Sequence, residues 1–218
     1  MNKTMRIIVP MAGAGSRFQK AGYTEIKPLI KINNKTLIQW AIETIDIDGD
    51  YIFIVQQKDY YLLKDHLKEL KPDCIVLTVE KLTNGAVETC LIAKDYLHDD
   101  EELIIVNNDQ AFLWDSGKFL NYLKRTTKVD GVVLTFESES PDYSFIQVND
   151  ENEGIIVKEK DVISNHALTG LHYYRKSRYF YEAAKFIINN DIREKNEYYI
   201  SSTYQYLIDK RYIVTQYK

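Results

Sequence analysis

Short apolar runs alternate with amphipathic segments along the first two thirds of the chain, and this alternation constrains the fold more than any other feature. Four continuously apolar or β-branched runs have the length of strands buried on both faces, namely residues 6–10, 51–55, 74–79 and 103–106. Three segments between them carry apolar residues at helical spacing, namely residues 37–45, 60–70 and 86–97. The pattern predicts βαβ units and a parallel sheet flanked by helices.

The predicted elements become shorter after Phe136. A helix over residues 119–125 and a strand over 131–136 precede this change. The later predictions are a hairpin of strands 145–148 and 155–157, a strand at 168–174, helices at 179–188 and 198–208, and a terminal strand at 212–216. We therefore predict one α/β domain over residues 1–218, whose mixed, mostly parallel sheet carries a small antiparallel extension at the ligand-binding end.

Composition excludes several classes of partner. Lys and Arg total 28 against 32 Asp and Glu, for a net charge of −4, so no global field attracts nucleic acid or an anionic membrane. The apolar runs are far shorter than the roughly 20 residues that a membrane span needs. The chain has only two cysteines, Cys74 and Cys90, which predicts a reduced, cytoplasmic protein. Any phosphate binding must therefore be local.

The turn after the first predicted strand carries the most specific chemistry. Gly13 and Gly15 allow backbone N–H groups to approach an anion closely, and the cations Arg17 and Lys27 follow. This pattern predicts a phosphate cradle with a cationic clamp. It is neither a dinucleotide fingerprint, since Phe18 replaces the third glycine, nor a P-loop. A purely structural strand-to-helix turn explains the glycines equally well.

A second candidate lies at the end of the fourth predicted strand. Asp109 follows that strand, and a side chain leaving the carboxyl end of a buried strand faces the crevice where ligands bind. Mg²⁺ is often held by one or two carboxylates together with substrate phosphates and water. We interpret Asp109 as a magnesium ligand, and the alternative is that it caps the following turn.

These motifs together resemble the signature of the sugar-phosphate nucleotidyltransferases, the nucleoside-diphosphate-sugar pyrophosphorylases. Their Gly-x-Gly-x-Arg pattern with a later Lys-Pro corresponds to residues 13–17 and 27–28. Four further segments match the family in its own order. Asn84-Gly85-Ala86 resembles its base-recognising turn, and Asn108-Asp109 resembles its metal-binding Asp. Glu159-Lys160 resembles its Glu-Lys pair, and residues 167–174 resemble its Thr-Gly strand. The similarity is greatest to a compact bacterial subgroup found with capsule and surface-polysaccharide genes.

The resemblance implies a single Rossmann-like domain of the GT-A type and a reaction. A nucleoside monophosphate would pass from a nucleoside triphosphate to a sugar 1-phosphate or similar phosphomonoester, with release of pyrophosphate. The implied nucleotide-binding residues are Met11, Ala12, Gly13, Ala14, Gly15, Ser16, Arg17, Asn84, Gly85 and Ala86. Arg17 and Lys27 would act as the catalytic cations, on the leaving pyrophosphate and near the α-phosphate respectively. Residues 1–136 would form the nucleotide-binding half.

The same resemblance implies an acceptor-binding half over residues 137–218. Glu159 and Lys160 would contact the acceptor phosphate, Gly170 would leave room for the acceptor, and Asp109 would hold Mg²⁺. The segment from Tyr198 to Tyr206 is rich in tyrosine, which predicts helix packing or a subunit interface in a homo-oligomer.

The chain departs from the family pattern in two places. First, the family's second metal-binding carboxylate has no obvious counterpart, and Asp142 and Asp161 are the residues to test for that role. Second, the Glu-Lys pair lacks its following proline, so Lys158 is an alternative to Lys160 as the lysine that binds the acceptor phosphate. Two alternatives therefore stay open. One is a GT-A glycosyltransferase that uses a nucleoside-diphosphate sugar, although its usual Asp-x-Asp is absent, and the other is a non-catalytic or shortened nucleotide-binding homologue.

Overall fold

Eleven strands are present in the computed structural model, which describes residues 5–218. They are β1 (Arg6–Pro10), β2 (Lys31–Ile32), β3 (Lys35–Thr36), β4 (Asp50–Gln56), β5 (Ile75–Val79), β6 (Leu103–Val106), β7 (Gly131–Glu137), β8 (Ser144–Val148), β9 (Gly154–Glu159), β10 (His166–Tyr174) and β11 (Val214–Tyr217). Strands β2 and β3 form a small separate hairpin, and the other nine join in one sheet.

The sheet is mixed and mostly parallel, with the order β11-β7-β10-β6-β1-β4-β5. Parallel pairing joins β1 to β4 and β6, β4 to β5, and β7 to β11. Strand β10 runs antiparallel between β6 and β7. The β8–β9 hairpin extends the sheet in antiparallel pairing from β10. The predicted fold class is therefore confirmed, and strands from both predicted halves of the chain interleave in one sheet.

Within residues 5–218 there are seven α-helices, and all but the first, which has no buried residue, pack on the two faces of the sheet. They are α1 (Ser16–Lys20), α2 (Leu37–Ile45), α3 (Tyr60–Leu70), α4 (Ala86–Leu91), α5 (Ser116–Arg125), α6 (Ser177–Asn189) and α7 (Ile200–Asp209). Successive side chains of a strand point to opposite faces, so Ile8 packs with α4, α6 and α7, whereas Ile7 and Val9 pack with α2, α3 and α5. This two-sided burial explains why the strand runs lack polar alternation.

The predicted helix over residues 86–97 is wrong in its second half. Helix α4 ends at Leu91, and a 3₁₀ turn over Lys94–Tyr96 follows. The amides of Ile92 and Ala93 bond to carbonyls three residues back, which tightens the chain. Because residues three apart eclipse in such a turn, Cys90 and Ala93 both reach the core. The pattern of apolar residues alone does not distinguish this arrangement from a continuing helix.

Helix α7 begins two residues later than predicted, for a reason that bears on the site. Tyr198 lies outside the helix because its N–H donates to the Asn84 carbonyl over 2.8 Å and its carbonyl accepts from the Val87 N–H over 3.2 Å. Its peptide groups are thus committed to the loop before α4. The short elements α1, β2 and β3 were not predicted, since each is too short to show a period.

The state of the cysteines and the length of the helices bear on two other sequence predictions. Cys74 and Cys90 are both buried and unpaired, in agreement with a reduced protein. Within residues 5–218, every helix falls short of the length and apolar character that crossing a membrane would require.

Candidate active site

The glycine-rich turn lies where the strand order reverses, between β4 and β6 on the two sides of β1. This switch point is where open α/β sheets bind ligands. The Met11 amide continues the ladder by donating to the Ile54 carbonyl over 2.8 Å, and Ala12 is buried. The chain then emerges at Gly13, whose carbonyl accepts from the Gln56 side-chain amide over 3.1 Å. Backbone groups therefore form the lip of the crevice.

Gly15 and Lys27 approach each other closely behind this lip. Gly15 has φ +63° and immediately precedes α1, and a Cβ on it would lie 3.5 Å from Cβ of Lys27. The first amides of a helix have no intrahelical acceptor, so those of Ser16 and Arg17 are available to a ligand. Lys27 opens a short 3₁₀ turn before Pro28. The sequence-predicted cradle and its lysine are thus brought together.

Lys27 and Asp109 form an ion pair in the crevice, with 2.5 Å between Nζ and Oδ2. Both side chains are partly exposed, at 26% and 31%, so substrate can reach them. The Lys27 ammonium also lies 5.7 Å from the centroid of the Phe18 ring. The catalytic and metal-binding candidates from two distant segments therefore meet at one point.

The loop that carries Asp109 is fixed from two sides. The Asn108 side-chain amide donates to the Pro10 carbonyl over 2.7 Å, and the Asn107 N–H donates to the Gly170 carbonyl over 3.1 Å. Gly170 has φ +86°, and a Cβ there would lie 2.3 Å from the side-chain atoms Asn107 Nδ2 and Gln110 Oε1. A glycine is therefore required at this position by the loop itself, in addition to any role toward an acceptor.

The turn Asn84-Gly85-Ala86 is pinned against the segment before α7. Gly85 has φ +130°, and a Cβ on it would lie 2.5 Å from the Tyr198 nitrogen. The Glu88 carboxylate accepts from the Asn84 backbone N–H and from its side-chain amide, the latter over 2.9 Å. The turn is thus held at the edge of the crevice.

Glu159 and Lys160 have different environments although they are adjacent. The Glu159 side chain is only 5% exposed, and its carboxylate accepts hydrogen bonds from Ser144 Oγ and, over 2.8 Å, from Ser201 Oγ. Lys160 instead donates from Nζ to Tyr199 Oη over 2.9 Å. Lys158 is exposed on β9, so Lys160 is the lysine of the two that is partly buried and held by a neighbouring side chain.

Lys160 and Arg17 are near enough to influence each other electrostatically. Partial burial and the Arg17 charge lower the pKa of Lys160, but its hydrogen bond to Tyr199 and the Glu159 charge outweigh them and raise the pKa of Lys160 above its ordinary value. Lys160 is consequently charged at neutral pH. Arg17 and Lys160 thus add two neighbouring cations to the Lys27–Asp109 pair, in a protein whose net charge is −4.

Metal ligation in this crevice rests on few protein atoms. Across residues 5–218, no three His, Cys, Asp or Glu side chains cluster closely enough to hold an ion. Asp109 is a hard oxygen donor at a strand end and fits Mg²⁺ that takes its other ligands from phosphates and water. The Asp142 carboxylate accepts from Ser140 Oγ over 3.3 Å in its own turn, and neither Asp142 nor Asp161 is assigned to the metal.

Comparison with known proteins decides the family. The family model for nucleotidyl transferases matches residues 7–217, nearly the whole chain. The chain belongs to the nucleotidyl transferase family. This confirms the predicted family and enzyme class. Among curated relatives, the bifunctional protein GlmU of Methanocaldococcus jannaschii is 26% identical over 211 residues, covering 94% of this chain and 47% of its own. This nucleotidyltransferase chain spans about half the length of the curated relatives that it matches.

Solved structures share the fold of this nucleotidyltransferase. A nucleoside-diphosphate-sugar pyrophosphorylase from Vibrio cholerae superposes with a TM-score of 0.80 at 23% identity, over 97% of this chain and 91% of the other. An inositol-1-phosphate CTP transferase from T. maritima gives 0.77 at 16% identity, over 99% and 86%. A UDP-glucose pyrophosphorylase solved with UDP-glucose gives 0.78 at 18% identity, over 99% and 91%. At these identities the likeness establishes the fold alone.

The sequence pattern missed Tyr199 as a site residue, because the tyrosine-rich segment that contains it predicts helix packing or a subunit interface. Tyr199 precedes α7 and meets Lys160, 39 positions away along the chain. It also missed Ser144 and Ser201, whose hydroxyls hold Glu159. No local pattern marks any of the three, because each acts through a partner on another element.

Gly170→Ala tests the close packing behind Asp109. We expect a loss of about 2 kcal/mol or more in the free energy of unfolding, because the new Cβ needs a left-handed backbone and overlaps Asn107 and Gln110. Gly13→Ala is the matched control, since a Cβ on Gly13 meets nothing within 4 Å and its φ is not in the left-handed region. Denaturant unfolding measures both variants, and equal stabilities would contradict the assignment.

Proposed function

We propose that this nucleotidyltransferase moves a nucleoside monophosphate from a nucleoside triphosphate to a sugar 1-phosphate or similar phosphomonoester and releases pyrophosphate. The observation that carries the proposal is the ion pair of Lys27 with Asp109 at the switch point of the sheet, together with Arg17 and Lys160, which lie close enough to interact electrostatically. Two phosphate-bearing substrates together need more cations than a single phosphate does. Membership of the nucleotidyl transferase family supports the same reaction.

The triphosphate would lie across the glycine-rich turn. Backbone N–H groups of residues 13–16 would bind its oxygens, and Arg17 would neutralise the pyrophosphate as it leaves. Lys27 would contact the α-phosphate that the acceptor attacks in line. The base would lie against the turn of Asn84, Gly85 and Ala86, where the absence of a large side chain lets the backbone approach it. No covalent nucleophile is needed, since catalysis here is positioning and charge neutralisation.

Magnesium would complete the charge balance. Asp109 is the residue that would hold Mg²⁺, and the ion would neutralise negative charge on the phosphates. In the free protein the Lys27 ammonium forms an ion pair with the Asp109 carboxylate. Binding of the nucleotide would therefore draw the Lys27 ammonium from Asp109 toward the phosphates. The Asp109 carboxylate would then be free to hold the ion.

The acceptor phosphate would bind at Lys160, which lies near enough to Arg17 for the two charges to interact. The Glu159 side chain is buried. We propose that its main role is to fix the end of β9 rather than to contact the acceptor over a large surface. Gly170 would leave space for the acceptor beside the metal. On the resemblance described above, the product would supply capsule or surface-polysaccharide synthesis in the cytoplasm, where nucleoside triphosphates are available.

The glycosyltransferase alternative is weaker on a specific observation. Such an enzyme usually pairs two carboxylates in Asp-x-Asp, whereas here Asn107 and Asn108 precede Asp109 and the Asn108 side chain is engaged with the Pro10 carbonyl. The cationic crevice also suits a triphosphate better than an existing sugar nucleotide.

Pyrophosphate release tests the proposed function directly. The four common nucleoside triphosphates are each incubated with Mg²⁺ and a panel of sugar 1-phosphates and amino-alcohol phosphates, and released pyrophosphate is measured. Release that depends on both substrates supports the proposal. Transfer from a nucleoside-diphosphate sugar without pyrophosphate would support the glycosyltransferase, and nucleotide binding without turnover would support a non-catalytic homologue.

Arg17→Ala and Lys27→Ala test the cationic clamp. Each should lower turnover by at least about a hundredfold, the order of loss when one preorganised donor is removed from a phosphoryl-transfer site. Lys20→Ala is the matched control, because Lys20 is an exposed cation on the same short helix as Arg17. Near-normal turnover in either clamp variant would refute its catalytic role.

Asp109→Asn tests the metal ligand. The substitution keeps the shape but removes the anionic oxygen, so Mg²⁺-dependent turnover should vanish while most triphosphate affinity remains with the glycine-rich turn. Turnover and nucleotide binding are measured on the same folded protein, and circular dichroism checks that the fold is retained. Full activity of the variant, or of the unaltered protein in excess chelator, would exclude this site.

Lys27→Met tests whether the ion pair masks Asp109. The free protein should bind Mg²⁺ weakly, and the variant should bind it severalfold more tightly, because a neutral side chain no longer competes for the carboxylate. Calorimetry with Mg²⁺ alone measures both proteins, and Lys27→Arg keeps the charge as a control. Tight binding to the unaltered protein would require a second carboxylate.

A further inference from the structure

The contact between Lys160 and Tyr199 is a hydrogen bond at the edge of the phenol ring. The ammonium donates to the phenol oxygen over 2.9 Å, and at 4.8 Å from the ring centroid it lies beside the hydroxyl rather than over the ring face. The Glu159 carboxylate lies 4.0 Å from the same ammonium, and both Lys160 and Tyr199 are half-buried. A lysine side chain is long and flexible, so holding it in one conformation costs rotamer entropy. Tyr199 therefore restricts Lys160, together with Glu159, before any ligand arrives.

The backbone at Lys160 also favours this contact. Lys160 has φ +54°, a left-handed conformation that turns its side chain out of β9, and its N–H donates to the Tyr143 carbonyl over 3.0 Å. A proline at position 161 would push Lys160 toward an extended backbone. Asp161 stands there instead. The chain thus lacks the rigid proline and has a tyrosine that holds the lysine from the other side.

Tyr199 is itself fixed relative to the turn at Gly85. The preceding residue, Tyr198, bonds through its own peptide groups to Asn84 and Val87, and Gly85 has no space for a side chain against it. The Tyr199 backbone therefore cannot move away from this turn without breaking those bonds. The position of the Lys160 ammonium is consequently tied, through Tyr199, to the turn at Gly85.

We propose that Tyr199 is a positioning residue, whose hydroxyl holds the Lys160 ammonium at a fixed distance from the turn at Gly85 so that it meets the acceptor phosphate. The inference rests on the proposed function, in which Lys160 binds that phosphate. Tyr199 does not touch the reacting atoms in this scheme. It acts through Lys160, so its loss should affect the acceptor and leave the nucleotide unaffected.

Tyr199→Phe tests the inference, because it removes the hydroxyl and keeps the ring. With glucose 1-phosphate, or the panel acceptor that releases more pyrophosphate, the acceptor KM should rise about tenfold, as expected for one lost hydrogen bond to a charged group. The KM for the triphosphate should not change. Tyr206→Phe is the matched control, since it removes a phenol from α7 whose ring packs on Phe186, away from Lys160.

A double substitution separates positioning from general disturbance. In a Lys160→Met protein the acceptor KM is already raised, and adding Tyr199→Phe should raise it no further, because the hydroxyl then has no ammonium to hold. An unchanged acceptor KM in Tyr199→Phe alone would overturn the proposal. An equal rise in both KM values, or independent effects in the double variant, would also overturn it.

A measurement without substrates keeps this test independent of the proposed function. NMR of ¹³C-methylated lysines reports the pKa of Lys160, with Lys160→Arg identifying its signal. The Tyr199 hydroxyl raises this pKa against burial and the nearby Arg17 charge, with Glu159 adding to the rise, so Tyr199→Phe should lower it. If no acceptor supports turnover, the proposed function fails but this result still decides whether Tyr199 holds the lysine. An unchanged pKa would overturn the inference.

Discussion

Burial of β1 on both faces and both edges is the constraint on which the rest of this structure depends. Ile7, Ile8 and Val9 have no exposed surface, and parallel ladders join the strand to β4 and β6. Each such side chain contributes about 1.5–3 kcal/mol through burial. Because the strand is immobile, the turn that follows Pro10 leaves it at a defined place and direction. The glycine-rich lip, the Asp109 loop and their mutual distance all follow from this anchor.

The crevice concentrates positive charge in an acidic protein. Lys27 pairs with Asp109, and Arg17 of α1 and Lys160 after β9 lie near enough to influence each other, although the whole chain carries a net charge of −4. In the free protein the Lys27–Asp109 pair and the Lys160–Tyr199 pair keep two of these cations ordered. Preordered cations lose less entropy when phosphates bind, which is how such a site favours its charged transition state.

The sequence predicted most strands within a residue or two, because strands buried on both faces are continuous apolar runs. It failed where a tertiary contact competes with the local pattern. Residues 92–97 continue the helical apolar spacing, yet the chain tightens so that Ala93 reaches the core. The sequence pattern predicts that a helix begins at Tyr198, yet the peptide groups of Tyr198 bond to the loop around Gly85 and the helix begins at Ile200. Periodicity carries no information about either competitor.

The sequence by itself determined the fold class and the first group of candidate residues, since apolar period, the Gly13 to Arg17 spacing and the strand-end Asp109 are local patterns. Only the tertiary structure decided that Lys27 pairs with Asp109 and that Lys160, rather than the exposed Lys158, is held by Tyr199. The physical reason is that local patterns set backbone conformation and burial over a few residues. Ion pairs and hydrogen bonds between segments exist only after the sheet has fixed their separation.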